Sequence, residues 1–394
     1  MSFSSFGLSE GLLRALEANG FNGPTPIQSQ ALPPALEGRD LVAVAPTGSG
    51  KTAAFALPIL QHLEHIEHIE HIKHIQRSEG GAPEAIGNQV RALVLVPTRE
   101  LAAQVGEVFT GLARFQPVPA RTRIVFGGVS VNPQMMALRG GADVLVATPG
   151  RLLDLVGRNA ARLGQVEILV LDEADRMLDL GFREELERLL ALLPALRQNL
   201  LFSATTDPTA GGLLTAMLRD PVQLGVAAEQ PPQGIRQRVY LVSQADKGPL
   251  LRHLIEKGGW DQVLVFVASH HRADAVARKL QNHGIAAEAL HGEQSQGART
   301  GALADFKAGG ARVLVATDLA ARGLDIERLA CVINYELPRS PKDYLHRVGR
   351  TGRAGAEGLA LSLVAPDERQ HMNLIEKRMG CRLPHLDAAD MSYV

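Results

Sequence analysis

The sequence predicts an α/β protein of two tandem domains, each a mostly parallel β-sheet flanked by helices, joined by a short linker. Three observations predict it. Short β-branched runs recur, each bounded by Gly, Pro or Asp: DLVAVAP, ALVLVP, RIVFGG, DVLVATP, ILVLDEA and NLLFSAT. Amphipathic stretches such as REELERLLALL lie between them, and buried strands alternating with helices imply a parallel sheet covered on both faces. The pattern then starts again with RVYLV, QVLVFVA, RVLVATD, CVINYEL and LALSLV, after a polar, Pro-rich AAEQPPQG. That stretch, residues 227 to 234, reads as the linker. It sets the first domain at residues 1 to 226, the second at 235 to 380, and a short tail at 381 to 394.

Length and composition agree. At roughly 150 residues per domain, 394 residues suffice for two or three ordinary cores. Hydrophobic residues make up 45% and charged ones 21%, as in soluble globular proteins. Lys plus Arg number 41 against 42 for Asp plus Glu, so any polyanion site is a local patch and not a property of the bulk charge. Two cysteines, Cys331 and Cys381, make no disulfide framework and fit a reducing compartment. The start, MSFSSFGLSE, lacks a basic segment followed by an apolar one, and no apolar run approaches about 18 residues. A soluble, cytoplasmic protein is expected.

Along the first domain, LVAVAPTGSGKTAAFALPIL is a strand, a Gly-rich turn and a helix start. Thr47, Gly48, Ser49 and Gly50 form the turn. Its glycines let backbone N–H groups close on phosphate, and the helix N-terminus adds its dipole. Lys51 reaches outer phosphates and Thr52 holds Mg²⁺. The strict pattern begins with Gly, and Ala45 stands there instead.

Next, in HLEHIEHIEHIKHIQ, residues 62 to 76, His and an aliphatic residue recur every three positions. At about 3.6 residues per turn this row drifts around a helix and never makes one apolar face. A 3₁₀ helix would align it, but such runs rarely exceed about 4 residues. Five histidines at this spacing suit a metal such as zinc or nickel. The plainer reading, which the sequence favours, is a slipped repeat that enlarges a surface connection over about residues 62 to 88.

Further on, ILVLDEADRML runs four apolar residues into Asp172, Glu173 and Asp175. Like charges this close repel, so a metal ion or basic side chain belongs among them. Asp172 orients Mg²⁺ and its waters, Glu173 positions the attacking water, and Lys51 offsets the charge.

DEAD at 172 to 175, together with SAT at 203 to 205, makes the chain resemble the DEAD-box RNA helicases of the bacterial type, within helicase superfamily 2. The resemblance runs from about Phe3 to about Ala365, with the motifs in the family's order. It implies two RecA-like domains, RNA-stimulated ATP hydrolysis and local separation of RNA duplexes. GFNGPTPIQ carries the adenine-reading motif. Gln28 resembles the glutamine that both accepts from and donates to the adenine edge, with Phe3 and Phe21 as the accompanying aromatics. PTREL (Thr98, Arg99), the pair Gly127 and Gly128, and TPGR (Thr148, Arg151) resemble segments that hold RNA. Hydroxyls, exposed amides and Arg grip the phosphate backbone without reading bases. Ser203 and Thr205 resemble the residues that couple hydrolysis to unwinding, through Asp175.

In the second domain, ALHGEQSQGART supplies Gln296 and Arg299 at RNA-facing positions, and Glu293–Gln294 replaces the commoner acid–Lys pair. Thr317 resembles an RNA ligand and Asp325 a ribose ligand. In HRVGRTGR, residues 346 to 353, His346 joins the coupling set. Arg350 and Arg353 resemble the fingers that stabilise charge on the transferring phosphoryl group, a task suited to a planar, always-charged guanidinium. Ser269, His270 and His271 stand where the family varies and take no role. ATP and Mg²⁺ are the implied ligands. Single-stranded and short duplex RNA are the implied partners, alongside RNA-turnover or ribosome-assembly proteins. An ATP-gated RNA clamp and a DNA helicase remain as alternatives.

Overall fold

The computed structural model describes residues 2–45, 48–76, 90–203, 212–225, 234–321, 329–352 and 358–387. Of residues 69–76 and Lys342 it describes the backbone alone. The chain divides into two compact units, Met1–Ala228 and Glu229–Val394. The expected linker lies outside the described residues, except Gly234.

The first unit carries β1 (Leu41–Val44), β2 (Ala92–Leu95), β3 (Thr122–Val125), β4 (Val144–Ala147), β5 (Ile168–Leu171), β6 (Gln198–Ser203) and β7 (Val222–Gly225). They form one sheet in the order β3-β4-β2-β5-β6-β1-β7. The second carries β8 (Ile235–Leu241), β9 (Val263–Val267), β10 (Ala287–Leu290), β11 (Val313–Thr317), β12 (Cys331–Asn334), β13 (Gly358–Val364) and β14 (His385–Asp387), in the order β10-β11-β9-β12-β13-β8-β14. Each sheet therefore has the same order when strands are counted within their own unit. Every strand pairing among the described residues is parallel.

Two-sided burial explains the apolar runs. Alternate residues of β2 feed different cores, Ala92 and Val94 on one face, Leu93 and Leu95 on the other. β9 does the same, with Val263, Val265 and Val267 opposite Leu264 and Phe266. A strand buried on both faces loses the polar alternation of a half-exposed one. Serine and threonine start the covering helices: Ser9, Thr98, Ser269, Ser295 and Ser340 each accept a backbone N–H three residues on, which satisfies donors the helix leaves open.

Two strands fall where the sequence gives no strand signal. β7 is half exposed. β14 lies beyond residue 380, inside the stretch read as a tail, and pairs with β8 through three residues. Both are too short or too polar to leave a periodic mark.

The histidine repeat is helical up to Gln76. One α-helix runs from Lys51 to Gln76. Its middle is tied down: Ser9 bonds Gln61 and Glu64, Gln116 bonds the Leu60 carbonyl and Glu64, and His62 meets Glu167 at 2.7 Å. The rest of the expected insertion, residues 77 to 88, lies outside the described residues. Among the described residues, no helix is long and apolar enough to cross a membrane.

Candidate functional site

The strand order brings the phosphate turn and the acids together. β5, β6 and β1 are neighbours, so the residues leaving their C-terminal ends share one edge of the sheet. Open parallel sheets bind ligands at that edge. β1 leads to the turn with Gly48 and Gly50, at φ 75° and 94°, a region that favours glycine. A Cβ on Gly50 would collide with the Gln28 amide. Ala45, where the strict pattern has Gly, is fully buried in the core, so its methyl packs instead of blocking the turn. Lys51 is 7% exposed and donates from Nζ to the Ala45 carbonyl at 3.0 Å. Thr52 follows at the helix start, half buried, and Ser49 lies in the turn. Thr47 lies outside the described residues.

β5 delivers Asp172, Glu173 and Asp175, all buried. Burial pushes the Asp172 carboxyl up to about 6, against the pull of Lys51 and with the push of Glu173. Asp172 also accepts the Glu173 N–H at 3.0 Å. Glu173 sits in the left-handed region, φ 53° and ψ 49°, a cost of about 1–3 kcal/mol for a residue with a Cβ. Its Oε2 is buried without a hydrogen bond and lies 3.9 Å from Arg176 Nη1. The sequence reading missed Arg176. Its signal was a base three residues beyond an acid at a helix start, which puts the two on one side.

Magnesium fits this donor set. A cation would offset a cluster of three buried acids, with Asp172 and Thr52 as the residues that would hold it. Among the described residues, no group of three or more His, Cys, Asp or Glu side chains is placed to hold a metal. That suits Mg²⁺, which is held by one or two carboxylates plus phosphate and water and not by a protein cage.

Gln28 is 1% exposed. It opens the helix Pro26–Leu36: its Oε1 accepts the Thr25 N–H at 2.9 Å, and its Nε2 donates to the Gly50 carbonyl at 3.0 Å. The amide thus spans the helix start and the phosphate turn. Phe3 is a core residue, 6% exposed, with its ring edge-on to Phe21 at 6.3 Å. Phe3 thus braces the half-buried Phe21. Ser203 ends β6 fully buried, and its carbonyl accepts the Ala45 N–H at 3.0 Å. Thr205 lies outside the described residues.

The other half of this sheet edge gathers the three RNA-like segments, because β3, β4 and β2 are neighbours. Arg99 lies against Gly128, where any Cβ would strike its guanidinium. Thr148 Oγ1 accepts the Gly127 N–H at 3.3 Å, and Arg151 Nη2 donates to the Val129 carbonyl at 2.7 Å. Arg151 Nη1 is buried without a hydrogen bond. Thr98 caps its own helix through Leu101 N–H. One interlocked patch results.

In the second unit, β10 leads to Gln296, first residue of the helix Gln296–Lys307, and to Arg299, buried one turn on. Thr317 ends the adjacent β11, half buried. Glu293 is exposed. Gln294 braces the loop: Oε1 accepts the His291 N–H at 3.1 Å and Nε2 donates to the Ala289 carbonyl at 3.0 Å. A lysine there has no acceptor for the first bond. Arg350 is 4% exposed, and His346 is half buried on the helix Pro341–Val348. Arg353 and Asp325 lie outside the described residues.

The sequence reading overlooked Arg347. It is 2% exposed and pairs with both Asp318 oxygens at 2.6 and 2.7 Å. It also donates to Asn334 Oδ1 and the Glu336 carbonyl, and lies over Phe266 at 4.8 Å. In a run with three arginines, composition alone does not show which one turns inward.

Comparison with known proteins matches this geometry. The DEAD/DEAH box helicase model matches residues 25–211, and the helicase conserved C-terminal domain model matches residues 246–355. The DEAD-box ATP-dependent RNA helicase CshA of Bacillus cereus is 38% identical over 388 residues, covering 98% of this chain and 70% of that protein. CshA of Streptococcus pneumoniae is 39% identical over 392 residues, covering 99% and 71%. Among solved structures, S. cerevisiae Dbp5 bound to RNA and ADP BeF3 superposes with a TM-score of 0.83 at 30% identity, covering 99% of this chain and 97% of that one. A buried DEAD turn beside a phosphate loop, two parallel sheets of one strand order and these relatives place the chain in the DEAD-box helicase family, with its two RecA-like domains.

Proposed function

We propose that the chain is an ATP-dependent RNA helicase that hydrolyses ATP and locally separates RNA duplexes or remodels RNA–protein complexes. The observation that carries this is the turn after β5, where Asp172 and the strained Glu173 are buried beside Lys51. Strain and desolvation at one carboxylate cluster mark a place shaped for chemistry and not for stability.

In this reading Gly48, Ser49, Gly50 and Thr47 cradle the phosphates, and Lys51 leaves the Ala45 carbonyl for the outer phosphates. Thr52 and Asp172 hold magnesium, which supplies charge neutralisation to the phosphoryl group. Glu173 orients the attacking water with its unbonded Oε2. Gln28, bonded to the turn it would report on, senses adenine, and Phe21 packs beside it. Asp175, Ser203, Thr205 and His346 relay the state of the site. Thr98, Arg99, Gly128, Thr148 and Arg151 grip one stretch of RNA backbone, and Gln296, Arg299 and Thr317 another. Arg350 and Arg353 stabilise charge on the phosphoryl group, and Asp325 holds the ribose. Work in the cytoplasm on RNA turnover or ribosome assembly fits this activity.

Matched single-stranded RNA and DNA of equal length test it. RNA is expected to raise ATP turnover by at least tenfold over DNA, with displacement of a short RNA duplex. Stimulation by DNA alone would make the chain a DNA helicase. Stimulation by RNA without displacement would make it a clamp.

A further inference from the structure

The second unit holds a cavity that the helicase reading leaves unused. Its volume is about 780 Å³, within the range of about 300–1,000 Å³ usual for binding sites. One wall is the helix Arg369–Met379, and the other is the segment that turns at Gly380, φ 68°, into β14. The helix follows β13 and buries Met372 and Ile375 in the core. Between two parallel strands the connecting helix runs back along the sheet. Its last turn therefore lies away from the C-terminal strand ends that carry Gln296 and Thr317.

The charges around the cavity are unevenly paired. Glu376, 7% exposed, is the one acid among the described residues that line it. Its Oε1 accepts the Leu383 N–H at 3.1 Å and meets His385 Nε2 at 2.8 Å. Burial, and then the charge of Glu376, push the Cys381 thiol up, so it adds no second negative charge near neutral pH. Lys377 and Arg382 are exposed and have no ion-pair partner among the described residues. Two cations thus stand without counter-charge beside one acid that His385 already meets. The exposed Asn373 amide adds a donor and an acceptor. Apolar contact comes from Leu383 and from Leu374, 60% exposed, which lies three residues before Lys377 and so on the same side of the helix. Carboxylates interspersed with aliphatic side chains complement such a surface. Single-stranded RNA is held by cations together with aromatic rings on which its bases stack, and no Phe, Tyr or Trp lines the cavity.

We propose that the cavity between the helix Arg369–Met379 and β14 docks an acidic peptide segment of another protein, with its carboxylates on Lys377 and Arg382 and an aliphatic side chain against Leu374 and Leu383. The probe is a short, end-blocked, fluorescent peptide of alternating glutamate and valine, titrated with the full chain and read by anisotropy. The parent is expected to bind with a Kd on the order of 100 μM that weakens as salt is raised, and to leave a matching lysine–valine peptide unbound. Lys377→Gln/Arg382→Gln is expected to bind at least tenfold more weakly. Arg378→Gln removes an exposed charge from the same helix outside the cavity and is expected to bind as the parent does. Equal melting temperatures show that the variants are folded. No binding by the parent, equal binding by the double variant, or an equal loss in Arg378→Gln overturns the proposal. A double variant that loses affinity for single-stranded RNA, with no peptide bound by the parent, overturns it in favour of nucleic acid.

Discussion

Asp172 carries a charge that the folded chain holds at a disadvantage. Its carboxyl binds a proton more tightly in the folded state, near pH 6, than at the ordinary value of 3.8. Without ligand, its contribution is therefore most favourable below about pH 4, is lost as pH rises to about 6 and is level above that. A shift of this size corresponds to about 3 kcal/mol. Asp172→Asn should thus raise the melting temperature of the ligand-free protein at pH 7, leave it nearly unchanged at pH 4, and abolish ATP hydrolysis. Scanning calorimetry at both values checks this, and a variant less stable at pH 7 would show that Lys51 already neutralises the carboxylate. Glu173→Gln keeps shape and hydrogen-bonding capacity but not the charge. ATP and RNA binding should persist while turnover falls by about 10²–10⁴-fold, the usual range for a positioned base. Turnover at the parent's rate rules Glu173 out of the chemistry.

Helices, strands and turns act through a few cross-links between them. Gln28 ties the start of the helix Pro26–Leu36 to Gly50. Gln28→Ala should weaken nucleotide binding several-fold and narrow the preference for ATP over GTP, measured as the ratio of their kcat/KM values. A parent that uses GTP equally well would remove the adenine role. Arg347 ties the helix Pro341–Val348 to the ends of β9 and β12 and to Asp318 after β11. Arg347→Ala should cost about 2–4 kcal/mol in denaturant unfolding, because it leaves acceptors unpaired in a buried place. The central strands were legible because residues buried on both faces must be apolar. The phosphate turn was legible because close approach of the backbone demands glycine. β7 and β14 were not, since a half-exposed or three-residue strand carries little pattern. The inward turn of Arg347, the left-handed backbone at Glu173 and the brace made by Gln294 depend on neighbours distant in sequence, which local composition does not encode. The helix through the histidine repeat was hidden for another reason: a period of three matches no amphipathic face, so only its continuity with the helix from Lys51 reveals it.

At the scale of the whole molecule, the two sheets repeat one plan, and among the described residues no hairpin joins any pair of neighbouring strands. In each, the strand made first ends up between the two made last: β1 lies between β6 and β7, and β8 between β13 and β14. Within each sheet, the first strand therefore finds its neighbours only among the last ones made. During synthesis β1 leaves the ribosome long before either flanking partner exists, and its apolar residues must wait through most of a unit of translation. β8 then repeats the delay, down to a closing strand of three residues. Each sheet therefore closes late, and the vulnerable period of each unit is the time before its last strands are made.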